Sequence, residues 1–376
     1  MDNLFKVEDI KEDMPNKVLS DNVAKIAVIG VGGGGCNMIN HMIKEGSHKI
    51  DLIAANTDLQ VLHISKAPKK IQLGLKLTKG LGAGMKPEIG RDSAVESYED
   101  IKTALKGADI IFIAAGLGGG TGTGAAAIIA KAAKEIGALT VSVVTKPFTW
   151  EGKKRAGLAN LGLEELKKVS DSIIVVPNDR LLEIIDENVG MKDAFKIIDN
   201  ILFQAVNGMS EVILNPGNSD INTDFADVKT IMQHRGMALM GIGKAKGEDA
   251  AQRALEDAID SPLLDKVSLN GAKGILIHFN IHPQVSLFAI NDVMGTINDR
   301  MDSNAEIIFG TTSDSTLETD EVKITIVATG FESKNDEHEE STENTEEGTQ
   351  NTMSSADDNY LDVPPLMRDY VVQYQL

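Results

Sequence analysis

Short apolar runs, each closed by a glycine turn and followed by a helix-like stretch, repeat along the first half of the chain. KIAVIG (25–30) runs into GVGGGG and then NMINHMIKE, and IDLIAANTD (50–58) is a second such run. ADIIFIAAG (108–116) leads through GLGGGTGTG into AAAIIAKAAKEIG, and LTVSVVT (139–145) and SIIVVP (172–177) are the fourth and fifth. Continuous rather than alternating apolar strands, separated by helices, predict a parallel sheet covered on both faces. After Pro177 the period changes. Apolar residues from Ala194 to Ile213 keep the i, i+3, i+4 spacing of one long helix, with Asn215-Pro216-Gly217 as its stop. Strands near 236–243, 272–280, 305–311 and 321–329, with helices near 247–260 and 285–299, predict a second, mixed α+β unit. The long helix is then the spine between the two halves.

One uncharged stretch has bilayer length. Residues 110–130 carry no charge, yet six of the nine positions from Gly116 to Gly124 are glycine. In a helix these would cost about 5 kcal/mol against alanine. A buried strand, a glycine loop and a helix start fit better, and no membrane insertion is expected.

Composition narrows the class. The 376 residues are 42% hydrophobic, enough for two or three cored domains. Lys+Arg total 37 and Asp+Glu 56, and the resulting charge of −19 argues against nucleic acid as the partner. A single cysteine, Cys36, excludes a disulfide framework or a cysteine-rich metal site. The first fifteen residues mix acids among apolar positions without the basic start of a secretion signal, so a cytoplasmic location is expected. From Glu332 to Asp358 ten acids face one base, Lys334, which reads as a disordered linker. Apolar residues return from Tyr360 to Val372, as in a short docking motif.

Two glycine clusters follow two different strands. Gly30-Val31-Gly32-Gly33-Gly34-Gly35, followed by Cys36 and Asn37, satisfies G-x-G-x-x-G, with Asp58 some twenty residues on. Alone it points to a dinucleotide fold, so an NAD(P)-dependent oxidoreductase is one candidate. Gly118-Gly119-Gly120-Thr121-Gly122-Thr123-Gly124 is more specific: glycines let backbone N–H groups converge on phosphate oxygens, the following helix adds its positive end, and the threonine hydroxyls add donors. A packing turn needs one or two glycines, not five. No lysine lies in the loop, which sets the P-loop class aside. Asn56-Thr57-Asp58 ends the second strand on the same rim, and the glycine-rich 79–87 loop is suited to closing over a terminal phosphate. A polyphosphate between the two clusters is the natural ligand.

These residues carry a resemblance. GGGTGTG is the signature of the tubulin-like GTPases. IGVGGGGCN, ANTD, KGLGAGMKPEIGR, TKPFTWEGKKR, VPNDRL and NTDFADVKTIM together resemble the FtsZ family of bacterial division proteins, from about Lys25 to Phe331, with a further match at the terminus. Cys36 departs from the glycine usual there, and the terminal peptide runs on as DYVVQYQL. The resemblance implies a tubulin-like α/β fold with a parallel, Rossmann-type GTP-binding sheet, a long central helix and a second α+β domain. The expected organisation is a flexible extension (1–22), GTP-binding domain (23–190), central helix (191–216), C-terminal domain (217–331), acidic linker (332–358) and docking peptide (359–376).

The same resemblance implies roles. Gly33, Gly34, Gly35, Cys36 and Asn37, with Gly119, Gly120, Thr121, Gly122, Thr123 and Gly124, hold the phosphates of GTP or GDP, and Asn56 and Asp58 join them on the rim. Glu151 and Arg155 contact the ribose; their spacing alone would equally make an i, i+4 ion pair. Asn178, Phe195 and Asp199 form the guanine site, the ring stacking the base and the carboxylate accepting from N1–H and N2–H₂; core packing is the plainer role for Phe195. Asn222, Asp224 and Asp227 have the spacing of a helix cap, but in the family this loop enters the next subunit's nucleotide site, where Asp224 and Asp227 position water and Mg²⁺ offsets phosphate charge. Hydrolysis would then need head-to-tail assembly into filaments of the mid-cell division ring. The terminal peptide, residues 359–372, would dock membrane-tethering and regulatory proteins such as FtsA. A non-hydrolysing tubulin-like scaffold is the remaining alternative.

Overall fold

The computed structural model describes residues 24–331, except 48, 184, 186–187, 215–220, 222–223, 235, 262–263, 265–268 and 270. The expected extension (1–22), linker (332–358) and docking peptide (359–376), the stop at 215–217 and Asn222 therefore lie outside the described residues. The described chain falls within one compact unit that runs to Ser333.

The first lobe alternates strand and helix as the apolar runs predict. β1 (Ile26–Val31), α1 (Gly32–Glu45), β2 (Asp51–Asn56), α2 (Leu59–Ile64) and β3 (Lys69–Gln72) come first, followed by α3 (Leu75–Thr78), α4 (Pro87–Glu96) and α5 (Tyr98–Leu105). β4 (Ile110–Gly116), α6 (Thr121–Glu135), β5 (Leu139–Lys146), α7 (Lys153–Val169) and β6 (Ser172–Pro177) complete it. The uncharged 110–130 stretch is thus β4, a glycine turn and the start of α6. Two helix starts differ from the sequence reading: α1 begins at Gly32 and α6 at Thr121, inside the glycine clusters rather than after them.

Strands β3-β2-β1-β4-β5-β6 are all parallel, and β6 continues in parallel into β7 (Met237–Lys246) through Ile173↔Met237 and Ile174↔Ala238. β10 (Glu321–Phe331) is antiparallel to β7 and to β8 (Gly274–Ile281), and β8 pairs in parallel with β9 (Glu306–Ser313). The two lobes therefore share one ten-stranded sheet. Alternate residues of β1 serve opposite cores: Ile26 and Val28 face α1, Ala27 and Ile29 face the α5–α6 side. Both faces are buried, which is why the strands read as unbroken apolar runs.

α8 (Met191–Leu214) is the long helix, about 36 Å at 1.5 Å per residue. It is long and apolar enough to cross a bilayer. Its stripe of Ile198, Ile201, Leu202, Ala205, Val206 and Met209 is instead packed into a core that also takes Val228 and Ile231 of α9 (Phe225–Met232). Met240 of β7, Leu276 of β8 and Val327 of β10 join the same core, so α8 lies against both lobes. On the opposite face of the second lobe, α10 (Ala250–Ile259) and α11 (Leu287–Asp299) close a third core. There Gly243 of β7 lies so near α10 that a Cβ would sit 1.9 Å from the Ala254 carbonyl oxygen.

Two outcomes follow from this packing. Gly243→Ala should lower the denaturant midpoint, with a loss of about 1–3 kcal/mol from overpacking against α10. The Cys36 thiol is fully buried and its pKa is pushed up to about 11 by that burial. A thiol reagent should leave the native chain unmodified at pH 8 and react once per chain in denaturant; rapid native labelling would contradict the packing.

Candidate functional site

Strand order reverses between β1 and β4, so the crossovers from these neighbours leave to opposite faces and a crevice opens beyond their carboxyl ends. α1 and α6 begin in that crevice. Neither has a side-chain cap and neither carries an acid in its first turn. α2, α9 and α11 are capped by Asp58, Asp224 and Ser286, whereas α3, α4, α5, α7 and α10 also lack a side-chain cap; what sets α1 and α6 apart is that their glycine-rich starts line one cleft. Two sets of unpaired N–H groups and two positive helix ends thus face one space, which suits an anion with several oxygens.

The cleft has a volume of about 440 Å³, within the range of roughly 300–1,000 Å³ usual for small-molecule sites. Gly33, Gly34 and Asn37 of α1 line one end with Gly119, Gly120, Thr121 and Gly122. Glu151, Arg155, Asn178, Phe195 and Asp199 line the other. One end thus offers bare backbone and the other polar and aromatic side chains, which suits a phosphate chain joined to a ring.

Glycine serves two purposes here. A Cβ on Gly35 would lie 2.3 Å from the Ala114 carbonyl oxygen, and one on Gly124 1.9 Å from that of Pro87. Gly118, Gly120 and Gly122 are similarly crowded, at 2.9, 2.8 and 2.6 Å. Close packing therefore explains four of the five glycines between 118 and 124, contrary to the expectation that it could not. Only Gly119 there, and Gly33 on α1, leave open space where a Cβ would go. That space is the cleft.

The nucleoside end is built from side chains. Glu151 and Arg155 form the i, i+4 ion pair at 2.6 Å, and both line the cleft. The second Glu151 oxygen accepts from the Phe148 N–H at 2.9 Å. Arg155 Nε and Asn178 Oδ1 are buried without a hydrogen-bond partner. Such orphans are costly unless a ligand satisfies them. Phe195 is 41% exposed, so it is no core residue; its ring stands edge-on to Phe148 at 6.0 Å and 83° and offers an aromatic face. Burial pushes the Asp199 carboxyl up to about 7. A ligand that donates hydrogen bonds to it would favour the charged form.

Six of the expected residues do not line the cleft. Cys36 turns into the core, its Sγ accepting from Asn56 Nδ2 at 3.8 Å. The side chain that replaces the usual glycine therefore stays out of the cleft. The Asn56 Oδ1 accepts from the Asp58 N–H, and the Asp58 carboxylate caps α2 through Gln60 N–H at 2.8 Å. With that carboxylate on a cap, the acid expected of a dinucleotide site is not presented to the cleft. Thr123 accepts from Gly118 N–H at 2.9 Å, fixing the turn from inside, and Gly35 and Gly124 serve close packing. Thr121 lines the cleft with its hydroxyl 2.6 Å from that of Thr57. The 79–87 loop is pinned rather than free: Gly82 N–H donates to Thr57 O and Leu59 N–H to Gly80 O.

Asp224 and Asp227 form a reciprocal cap at the start of α9. Asp227 N–H donates to Asp224 Oδ1 at 2.9 Å and Asp224 N–H to Asp227 Oδ2 at 3.3 Å. Neither lines the cleft of its own chain. The sequence reading missed Thr145, Pro147, Ile198 and Leu202 as lining residues. Thr145 ends β5 beside the switch point, a signal that was available; Ile198 and Leu202 were indistinguishable from the rest of the core stripe.

Comparison with known proteins agrees with this geometry. Residues 25–186 match the Tubulin/FtsZ family GTPase domain and residues 236–332 the FtsZ family C-terminal domain. An FtsZ of M. jannaschii, solved as an empty dimer, is 47% identical over 83% of this chain and 90% of its own, with a TM-score of 0.76. A point mutant of FtsZ from that organism also gives 47% and 0.76, over 82% of this chain and 92% of its own. A CetZ protein of Haloferax volcanii, solved as a GTPγS-bound protofilament, shares the fold at 20% identity and a TM-score of 0.70, over 82% of this chain and 93% of its own. Two family models in their proper order, a nearly full-length relative and a cleft with the chemistry of a nucleoside triphosphate agree: the chain belongs to the FtsZ family, cytoskeletal GTPases of the tubulin type that bind and hydrolyse GTP.

Proposed function

We propose that this chain polymerises head-to-tail into filaments of a division ring and cleaves GTP only where two subunits meet. The observation that carries the reading is a division of chemistry. The phosphate end of the cleft offers backbone N–H groups and a hydroxyl but no carboxylate. Of the two carboxylates in the cleft, Glu151 is tied to Arg155 and Phe148, and Asp199 sits at the base end. One molecule would bind the triphosphate, and among the described residues no carboxylate lines its phosphate end. Asp224 and Asp227, held by their mutual cap, would orient the water for a neighbour, with Asn222 two residues before Asp224 in the sequence. The M. jannaschii dimer and the CetZ protofilament show relatives associating in this fold. A head-to-tail contact does not close on itself, so it propagates.

In the assembled site the α1 and α6 N–H groups would hold the phosphates and stabilise charge as it develops, while Asp224 and Asp227 orient the attacking water. Asn178 Oδ1 and the ionised Asp199 would accept from the donors on guanine, Phe195 would stack its ring, and Arg155 Nε would donate towards the ribose. Mg²⁺ would accompany the phosphates and lower their charge. Residues 359–372 would dock an adaptor such as FtsA, linking a cytoplasmic filament to the membrane at mid-cell.

Complementation tests the shared site. A Cβ at Gly33 meets nothing within 4 Å, so Gly33→Asp should fold while its carboxylate repels phosphate. Asp224→Ala should keep GTP binding and lose cleavage. Each variant alone should release little phosphate, and an equimolar mixture should recover activity. An inert mixture, beside wild-type turnover per subunit that stays flat on dilution, would overturn the shared site.

Asp199 gives a pH signature. With its pKa near 7 in the empty protein, the charged form that guanine requires grows as pH rises through 7. GTP affinity should therefore increase from pH 6 to 8, with a proton released on binding near neutrality. Calorimetry in two buffers of different ionisation enthalpy should detect the proton, and Asp199→Asn should abolish it.

A further inference from the structure

The segment 147–155 reaches both the Gly118 turn and the Phe195 side of the cleft. Pro147 and Arg155 crowd Gly118 of the phosphate turn, where a Cβ would lie 2.9 Å from the Arg155 carbonyl oxygen and 3.2 Å from the Pro147 ring. Its Phe148 N–H holds Glu151, which holds Arg155. Its Phe148 ring is buried, stacks on Trp150 at 5.3 Å and 19°, and meets the Phe195 edge. Thr149 is the remaining tie. Its N–H donates to Asp179 Oδ1 at 2.9 Å and its hydroxyl to Asp179 Oδ2 at 2.6 Å. Asp179 adjoins Asn178, whose Oδ1 is one of the orphaned acceptors.

β5 and β6 are ladder partners as far as Lys146↔Pro177. The two Asp179 bonds carry that connection past the strand ends, from the turn Thr149–Glu151 to the residue after Asn178, and use both Asp179 oxygens. We propose that Thr149 and Asp179 are positioning residues for guanine recognition: their paired hydrogen bonds make 147–155 a strap that fixes the sugar and base subsites relative to the phosphate turn. Neither touches the nucleotide. They act through Asn178 on one side and through Phe148 and Phe195 on the other. Guanine selectivity is then set partly by the distance between two loops as well as by the groups that meet the base. This rests on GTP occupying the cleft as proposed above.

The test compares wild type, Thr149→Val, Thr149→Ser and Asp179→Ala. Thr149 is exposed and Asp179 half-buried, so unfolding midpoints should stay close to wild type. Loss of one or two hydrogen bonds predicts GTP affinity lower by roughly 3–10-fold in Thr149→Val and Asp179→Ala. KM should rise with kcat unchanged, the GTP-to-ATP preference should narrow, and Thr149→Ser should restore all three. Trp150 is the sole tryptophan, so its fluorescence anisotropy reads the strap directly and should fall in Thr149→Val. Wild-type affinity and selectivity in Thr149→Val and Asp179→Ala would overturn the proposal, as would affinity lost only together with stability. Wild type that binds no GTP would instead sink the reading of the cleft itself.

Discussion

The amino ends of α1 and α6 lack capping side chains, and much of the first lobe is arranged around that deficit. A missing cap typically costs about 1 kcal/mol, and glycine inside a helix costs a similar amount per residue. Here both penalties fall together, twice, at the ends of adjacent strands. Side-chain caps would satisfy the N–H groups and occupy the phosphate space. Crowding also leaves little choice: Gly35 meets the Ala114 carbonyl and Gly124 that of Pro87. The turns must be glycine to pack, and being glycine they present bare backbone.

Three further groups in the cleft carry the same kind of deficit. Arg155 Nε and Asn178 Oδ1 are buried and unpaired, and the Asp199 carboxyl is held near pKa 7 by desolvation. The sign for Asp199 is unfavourable to the empty fold. A carboxyl whose pKa is raised on folding weakens stability as pH climbs from the ordinary carboxylate range to about 7, and the weakening persists above that. On the proposed reading a nucleoside triphosphate would supply oxygens for the helix ends, acceptors and donors for the orphans, and donors for the carboxylate. Its binding therefore contributes to folding stability by mass action.

Much of this was legible in the sequence because its signals are local. Unbroken apolar runs fix β1, β2, β4, β5 and β6, and the 3.6 spacing fixes α8, with Phe195 and Asp199 four apart on one face. Elements without an apolar run did not announce themselves: β3, KKIQ, is a four-residue edge strand with lysines outward, and α2 to α5 are short helices whose burial comes from what they pack against. Side-chain direction was the deeper limit. Asn56 and Asp58 sit at the end of a strand on the correct rim, yet point into a cap, and Thr123 is two residues from Thr121 but faces the turn interior. Chain position places a residue near a site; hydrogen bonding decides whether it belongs to it.

The carboxylates of α9 bring both kinds of information together. Spacing alone reads Asp224 and Asp227 as a capping box, and that is their role within one molecule. The cap does not compete with the role proposed across an interface. Each carboxylate gives one oxygen to a backbone N–H and keeps the other, and Asp224 is exposed. Holding two like charges close together is unfavourable unless fixed donors offset them, and the first-turn N–H groups and the positive end of α9 are such donors. The cap therefore fixes the orientation of two carboxylates outside the cleft, Asp224 exposed and Asp227 half-buried. Among the described residues no acid lines the phosphate end of the cleft, and α9 carries two outside it; on the proposed reading each surface would supply what the other lacks.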